Sequence, residues 1–166
     1  MTQQQNVETL RRMYEAWNDR DIDAIMGNYD PDIEIVETQD LAYAAALLRV
    51  LGPRFVILSG GYRGKGEVRK LWETIWEISE WFIVNPEDFI AVGDEKVVVP
   101  NVLNARAKGT GLEGEAQTAH LFTVRDGKVL RMEVFVDRQQ AMAAAHLPEV
   151  VDAGSDETES GTGFAG

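Results

Sequence analysis

The chain has 166 residues, 45% of them hydrophobic, and its 28 acidic residues against 16 basic ones give a formal net charge of −12. This length and hydrophobic content predict one globular domain with a substantial core. The absence of cysteine excludes a disulfide scaffold, a thiolate metal site and a cysteine nucleophile. A strong negative charge without a basic cluster predicts that the protein does not bind nucleic acid.

The two ends of the chain bear on localisation and domain organisation. Residues 1–6 lack the basic start and apolar core of a signal peptide, and no apolar run approaches the ~20 residues that span a bilayer. We therefore expect a cytoplasmic protein that does not associate with a membrane. The acidic segment 148–166 has no apolar periodicity, so we predict a single domain over residues 1–147 and a disordered tail after it.

Two helices are predicted at the start of the chain. Apolar residues recur at spacings of three and four over residues 7–17, which is typical of a helix with one buried stripe. Asp21 is a plausible N-cap for a second, short helix that carries Tyr29 on its apolar face and ends before Asp30 and Pro31. Together they predict a helical hairpin.

A strand and an insert follow this hairpin. From residue 32 the apolar period changes to that of a strand, whose inward face ends in a carboxylate, Glu37. Residues 40–51 have the composition of a helix, and residues 55–58 are typical of a short strand. We interpret residues 39–59 as an inserted helical lid or flap.

The second half of the chain begins with the strongest helix pattern, over residues 67–79. It continues as a predicted antiparallel meander and a final helix, with strands over 88–92, 96–107, 115–125 and 128–137 and the helix over 139–145. Asp126-Gly127 between alternating apolar runs is a strong hairpin signal. Helices on one side of a long, twisted antiparallel sheet define an α+β fold with a conical cavity between the layers.

Three motifs carry a resemblance to a known family: YEAWN with DIDAI over residues 14–25, YRGKGE over 62–67, and HLFTVRDGKV with VDR over 120–138. Over about residues 6–146 the chain resembles the SnoaL-like branch of the nuclear transport factor 2-like superfamily, which includes ketosteroid isomerase, polyketide cyclases, limonene epoxide hydrolase and scytalone dehydratase. The resemblance implies a cone-shaped, strongly twisted, mostly antiparallel sheet wrapped around N-terminal helices. It also implies an apolar ligand pocket in the cone and a homodimer through the outer face of the sheet.

The resemblance also places candidate catalytic residues. Glu37 matches the catalytic aspartate of ketosteroid isomerase. His120 lies near the strand position of that enzyme's protonated aspartic acid and of the catalytic aspartate of the SnoaL-type cyclases. The isomerase's oxyanion tyrosine matches Met13, and Tyr14 stands one residue further on. Because the residue types differ at these positions, we do not expect a true ketosteroid isomerase.

The residues themselves leave two interpretations of each candidate. Glu37 either points inward, where desolvation raises its pKa towards that of a general base, or turns to solvent or to an arginine. His120 shares a strand face with Phe122 and either donates a hydrogen bond or a proton to a ligand, or is a satisfied core histidine. Asn104 and Arg106 share one strand parity and either face the cone or lie at the surface.

The aromatic side chains on the helix stripes are either pocket wall or simple core. The candidate ligand-binding residues are therefore Trp17, Tyr29, Trp72, Trp76, Asn104, Arg106 and Phe122, and the candidate catalytic residues are Glu37, His120 and Tyr14. The two histidines are 26 residues apart, no calcium-loop motif is present, and we predict neither a metal nor a cofactor.

Two functions remain open at this stage. In the first, the cone binds a small hydrophobic molecule that bears a carbonyl or hydroxyl group. Glu37 moves a proton at carbon while His120, with Tyr14, polarises the adjacent oxygen, which gives isomerisation, aldol-type cyclisation or dehydration. In the second, the protein is a non-catalytic ligand-binding or dimeric assembly module. An epoxide hydrolase of the limonene type ranks low, because Glu37, Arg106 and His120 do not reproduce an Asp-Arg-Asp arrangement.

Overall fold

The fold was analysed in a computed structural model, which describes residues 2–38, 40–54 and 61–147. In these ranges the chain forms five helices and seven strands. In chain order they are α1 (Gln3–Asn18), α2 (Ile22–Gly27), β1 (Tyr29–Val36), α3 (Leu41–Leu51), β2 (Tyr62–Arg63), α4 (Gly64–Ile78), β3 (Ser79–Pro86), β4 (Ile90–Val92), β5 (Lys96–Ala107), β6 (Glu113–Arg125), β7 (Lys128–Phe135) and α5 (Arg138–Ala145).

The strands form one sheet in the order β2-β1-β7-β6-β5-β3, with β4 paired to β5 beside β3. β1 runs parallel to β7, and the other pairs are antiparallel. The long central strands β5 and β6 pair over eleven positions, from Lys96 opposite Thr123 to Arg106 opposite Glu113. This twisted, unclosed sheet wraps around the N-terminal helices, so the predicted cone-shaped α+β fold is confirmed.

The N-terminal helices are delimited by side-chain caps. Thr2 and Gln5 form a reciprocal capping box at the start of α1, and the Asp21 carboxylate accepts a hydrogen bond from the backbone N–H of Ala24 at the start of α2. α2 ends at Gly27, so Tyr29 begins β1 instead of continuing the helix as predicted. The pairing of β1 with β7 is irregular between Tyr29 and Glu34, which leaves room for Pro31 within the strand.

Strand β3 was not predicted from the sequence. Residues 81–84 are four consecutive apolar residues, which show no period-two alternation and directly follow a helix that extends to Ile78. In the structure the chain leaves the helix at Ser79, whose hydroxyl donates to the carbonyl of Ile75, and pairs with β5. The helix predicted over 67–79 is observed over Gly64–Ile78, and the strand predicted over 88–92 is observed over Ile90–Val92, so the main error is the missing strand between them.

The hairpin between β6 and β7 confirms the prediction made from its turn. Asp126 and Gly127 both have positive φ, 54° and 76°, and they close the pair Arg125 and Lys128. Two consecutive positive φ values are those of a type I′ turn, the turn whose twist matches antiparallel strands.

The two faces of the sheet carry different layers. Helices α1 and α4 pack against the inner face, where the main core lies. Helix α5, capped at its start by Asp137, packs on the outer face, where Ala141 and Ala145 contact Val98 and Leu121. The predicted strand over 55–58 and the predicted acidic tail over 148–166 lie outside the described residues.

Candidate functional site

A cavity of about 60 Å³ lies inside the cone, between the inner face of the sheet and the helices. Its walls come from helices α1, α3 and α4, from strands β1, β3, β5, β6 and β7, and from Glu37 directly after β1. The lining side chains are mostly apolar, and they are Trp17, Ile35, Glu37, Tyr43, Leu47, Leu71, Trp72, Ile75, Phe82, Val84, Asn101, Leu103, Thr118, His120, Met132 and Val134.

Glu37 follows β1 and turns into this cavity in the phase set by the buried residues Ile33 and Ile35. No described residue forms an ion pair or hydrogen bond with its carboxyl group. Burial disfavours the charged form and raises the pKa of Glu37 from 4.5 to about 7. The carboxyl group is therefore poised to gain or lose a proton near neutral pH.

His120 lies on β6 opposite Val99 of β5, with only 6% of its surface exposed. Burial lowers the pKa of its imidazole to about 3, so the ring is neutral at physiological pH. Its Nδ1 lies 2.8 Å from the hydroxyl oxygen of Tyr14, which is itself buried on α1.

The bond between Tyr14 and His120 selects one tautomer of the imidazole. Burial raises the pKa of Tyr14, so its hydroxyl keeps its proton. Because Nδ1 is the one partner of this hydroxyl among the described residues, the O–H donates a hydrogen bond to Nδ1. A neutral imidazole that accepts at Nδ1 carries its proton on Nε2. Among the described residues Nε2 has no hydrogen-bond partner, and the ring borders the cavity. His120 thus presents an N–H donor to a ligand.

A second polar pair borders the cavity beside His120. Asn101 lies opposite Thr118 on the neighbouring strand, and both side chains are buried. The Thr118 hydroxyl donates to Oδ1 of Asn101, and Nδ2 of Asn101 donates to the carbonyl of Val99 at 3.0 Å. One N–H of the Asn101 amide remains after these bonds, so this pair can also donate towards a ligand.

Tyr43 and Leu47 of α3 close the cavity on the side of the insert. The Asp40 carboxylate accepts a hydrogen bond from the Tyr43 backbone N–H at 2.8 Å, which fixes the first turn of the helix. Burial and, to a smaller extent, the nearby charge of Glu37 raise the pKa of the Tyr43 phenol. The insert therefore contributes a polar group to the site as well as apolar wall.

A larger outer pocket of about 390 Å³ lies next to the inner cavity. Glu37 and Val134 border both spaces. Polar side chains dominate the rest of the outer rim, and the remaining lining residues are Val36, Thr38, Asp40, Glu133, Phe135 and Gln140. Glu37 therefore stands at the junction between an apolar interior and a polar mouth.

The structure brings together some of the sequence-predicted residues. Glu37, His120, Trp17 and Trp72 all line the inner cavity. Tyr14 does not line it but bonds to His120. Its observed role is to orient the imidazole, and its predicted role towards a ligand stays a prediction.

Three predicted aromatic residues lie outside the cavity lining. Tyr29 is buried and accepts a hydrogen bond from the Trp17 indole at 3.2 Å. Phe122 packs edge-on against Tyr14 and His120 within the core. Trp76 packs on Trp72 one turn further along α4 and is not part of the cavity lining. These residues support the wall of the site.

Asn104 and Arg106 lie on the outer face of β5. On this strand Leu103, Ala105 and Ala107 are buried, while the residues between them are partly exposed. The Arg106 guanidinium forms ion pairs with Glu80 at 2.8 Å and with Glu113. Of the two sequence alternatives, the structure places this pair at the surface.

Sequence analysis did not identify three polar residues of the site as candidates. Thr118 was recoverable, because it stands two residues before His120 on the same strand face. Asn101 was not predicted because β5 is buried on both faces from Val97 to Asn101. In such a segment the alternation of residue types does not indicate which side chains face the cavity. Tyr43 was assigned to the insert, whose position relative to the cone has no sequence signal.

Two further observations concern ligands and membranes. Within the described ranges, no group of three or more His, Asp or Glu side chains is arranged to hold a metal ion. In the same ranges no helix combines the length and apolar character that crossing a membrane requires.

The twisted sheet, wrapped around helices with an apolar cavity between the layers, defines a cone-shaped α+β protein. The chain belongs to the SnoaL-like domain family, whose model matches residues 10–132. Comparison with functionally curated proteins found no significant match.

Solved structures show the same fold. TerC co-crystallised with polyporic acid is 25% identical, with a TM-score of 0.62 over 85% of this chain and 97% of that one. An NTF2-like protein from Burkholderia xenovorans is 25% identical, with a TM-score of 0.62 over 87% of this chain and 98% of that one. A putative polyketide cyclase from Sinorhizobium meliloti is 16% identical, with a TM-score of 0.56 over 76% and 93%.

Proposed function

We propose that this protein binds a small hydrophobic molecule bearing a carbonyl or hydroxyl group, and that it catalyses proton transfer at carbon without a cofactor. One observation carries the proposal: the unpaired carboxyl group of Glu37 and the neutral imidazole of His120 border the same apolar cavity. Family membership and neighbours such as the putative polyketide cyclase support a ligand-binding or cyclase-type role at the level of the family.

The two groups suit complementary steps. As a carboxylate, Glu37 takes a proton from a carbon next to a carbonyl, and the electron pair of the broken C–H bond moves to the carbonyl oxygen. The Nε2–H of His120 donates a hydrogen bond to this developing oxyanion in a site shielded from water. Because the pKa of Glu37 is about 7, the group is substantially ionised at neutral pH and still able to return the proton.

Three outcomes are compatible with this enolate. Return of the proton to a different carbon gives isomerisation. Attack of the carbanion on a second carbonyl of the same molecule gives aldol-type cyclisation, and expulsion of a hydroxyl group with a proton gives dehydration. Each outcome uses the same two protein groups, so the residues support a reaction class and not one product.

The size of the site bears on how a ligand binds. A free volume of about 60 Å³ is below the ~300–1,000 Å³ typical of pockets for drug-sized ligands. Glu37 and Val134 border both this cavity and the outer pocket of about 390 Å³, which by itself falls within that range. We propose that a ligand spans this junction, with its apolar part inside and its polar part at the mouth.

The second candidate function is a non-catalytic ligand-binding or assembly module. The closure of the cavity by Tyr43 and Leu47 favours it, because the insert already fills part of the cone. A homodimer through the outer face of the sheet remains a proposal. In this chain that dimer would have to use the part of the outer face that α5 leaves uncovered.

A ligand screen tests the proposal. Small cyclic ketones and phenols, with hydrocarbons of the same shape as controls, are added to the wild-type protein, to Glu37→Gln and to His120→Ala, and the melting temperature is measured. Ligand at 100 times its Kd stabilises the folded state by about 2.7 kcal/mol. We expect the oxygen-bearing compounds to stabilise the wild type more than the hydrocarbons do. Equal stabilisation of all three proteins would contradict the assigned roles of Glu37 and His120.

A further inference from the structure

The inserted helix α3 is apolar almost throughout, with one exception that faces the site. Along Leu41–Leu51 the polar side chains are those of Tyr43 and Arg49. Arg49 is exposed, whereas Tyr43 lines the inner cavity. The hydroxyl of Tyr43 has no hydrogen-bond partner among the described residues.

The phenol of Tyr43 is more than a space-filling group. The residue is partly buried, and its hydroxyl is not among the buried polar atoms that lack a partner, so the hydroxyl keeps access to the space of the pocket. Phenylalanine or leucine would close the cavity without adding a polar group to its apolar wall. The position of Tyr43 is also well defined, since its backbone N–H bonds to Asp40 at the helix cap. The hydroxyl is therefore available to a ligand that enters the cavity.

Tyr43 lies beside the proposed proton-transfer groups. The titratable side chains that line the cavity are Glu37, Tyr43 and His120. The charge of Glu37 contributes to the raised pKa of the Tyr43 phenol, so the two groups are close in space, and the phenol remains protonated at neutral pH. A protonated phenol is a hydrogen-bond donor to oxygen.

We propose that Tyr43 is a second hydrogen-bond donor to the ligand oxygen, so that the insert completes the binding site as well as covering it. This inference rests on the proposed function and adds to it a ligand-binding residue from an element outside the sheet and the N-terminal helices. In this arrangement the ligand oxygen accepts hydrogen bonds from two elements of the fold, from His120 on β6 and from Tyr43 on α3.

The probe for the test is 4-nitrophenol, because its anionic oxygen resembles an enolate oxygen and its absorbance reports its ionisation. Binding is followed by the fluorescence of Trp17 and Trp72, which line the cavity. The bound probe is then titrated in the wild type and in Tyr43→Phe. Tyr43→Phe removes a hydrogen bond to the anionic oxygen and so destabilises the ionised form of the probe. We therefore expect the pKa of the bound probe to be higher in Tyr43→Phe than in the wild type by about 1 to 2.

Gly114→Ala is the matched structural control. A Cβ at Gly114 would lie 2.6 Å from Cγ2 of Val50, so this substitution disturbs the packing of α3 on β6 without removing the phenol. We expect it to weaken binding of both ionisation states of the probe equally, with an unchanged pKa of the bound probe. An equal pKa change in Tyr43→Phe and Gly114→Ala would overturn the inference, because it would reduce the role of Tyr43 to packing.

The remaining outcomes separate the inference from the proposed function. If the wild type binds the probe and Tyr43→Phe leaves the pKa of the bound probe unchanged, the inference is wrong and the proposed function stands. If the wild type does not bind the probe, the proposed function is contradicted and the inference with it. If Tyr43→Phe fails to fold, the bound probe is titrated in Tyr43→Leu, where an unchanged pKa of the bound probe would likewise overturn the inference.

Discussion

Replacement of Glu37 by glutamine should stabilise the protein at high pH and not at low pH. In the folded state the pKa of Glu37 is about 7, against an ordinary value of 4.5. At a pH between these two pKa values, Glu37 holds a proton in the folded state that it has lost in the unfolded state. The free energy of unfolding therefore falls as the pH rises through this range. The difference of 2.5 in pKa corresponds to about 3 kcal/mol of stability lost between pH 4 and pH 8. Glutamine does not titrate, so the Glu37→Gln variant does not lose this stability as the pH rises.

The measurement is a double difference. Urea unfolding of the wild type and Glu37→Gln at pH 4 and pH 8 gives the stability change of the substitution at each pH, and we expect the value at pH 8 to exceed that at pH 4 by about 3 kcal/mol. His120 has the opposite dependence, because its pKa of about 3 makes the folded state lose stability as the pH falls below 6.5. His120 is present in both proteins, so its contribution cancels.

A neighbouring carboxylate on the same strand provides the control. Glu34 points to the outer face and is paired with Arg131 and Arg63. Glu34→Gln removes these pairs, so we expect no stabilisation at pH 8. A pH-independent effect of Glu37→Gln would refute the reasoning, because it would mean that the Glu37 carboxyl group is solvated as in the unfolded chain.

Three further substitutions test other parts of the structure. Tyr14→Phe leaves Nδ1 of buried His120 without its donor, so we expect a loss of about 1–3 kcal/mol in urea unfolding. In ¹⁵N NMR the wild-type ring should carry its proton on Nε2, and a proton on Nδ1 would refute the tautomer assignment. Asp137→Ala removes the cap of α5 and should cost about 1 kcal/mol in urea unfolding, and an unchanged midpoint would contradict it. Gly127→Ala places a side chain on a backbone with φ 76°, so we expect about 1–2 kcal/mol of destabilisation in urea unfolding. An unchanged free energy of unfolding would contradict the assignment of a type I′ turn.

Much of the fold was accessible from the sequence because its signals are local. Asp126-Gly127 fixes a hairpin through backbone conformation alone, and Asp21 and Asp137 mark helix starts by their side-chain chemistry. β3 was missed because residues 81–84 are all apolar. They show neither the period of two residues of a half-buried strand nor the period of 3.6 residues of an amphipathic helix. Its identity as a strand comes from pairing with β5, which is a long-range contact.

The site was predictable to the extent that strand alternation and family position agree. Both point Glu37 and His120 towards the interior, and the structure puts them on one cavity. The bond between Tyr14 and His120 was not predictable, because it joins residues 106 positions apart. The same holds for Tyr43, whose position depends on how α3 packs against the sheet.

The central claim is that Glu37 moves a proton at the carbon of a ligand in the shared cavity, while His120 donates a hydrogen bond to the adjacent oxygen. The most direct measurement is the exchange of deuterium from D₂O into the carbon next to the carbonyl of cyclohexanone, followed by ¹H NMR. We predict that the wild type accelerates exchange with a pH midpoint near 7, that Glu37→Gln returns it to the buffer rate, and that His120→Ala slows it. Exchange no faster than with an equal concentration of acetate, or an acceleration that survives Glu37→Gln, would contradict the claim.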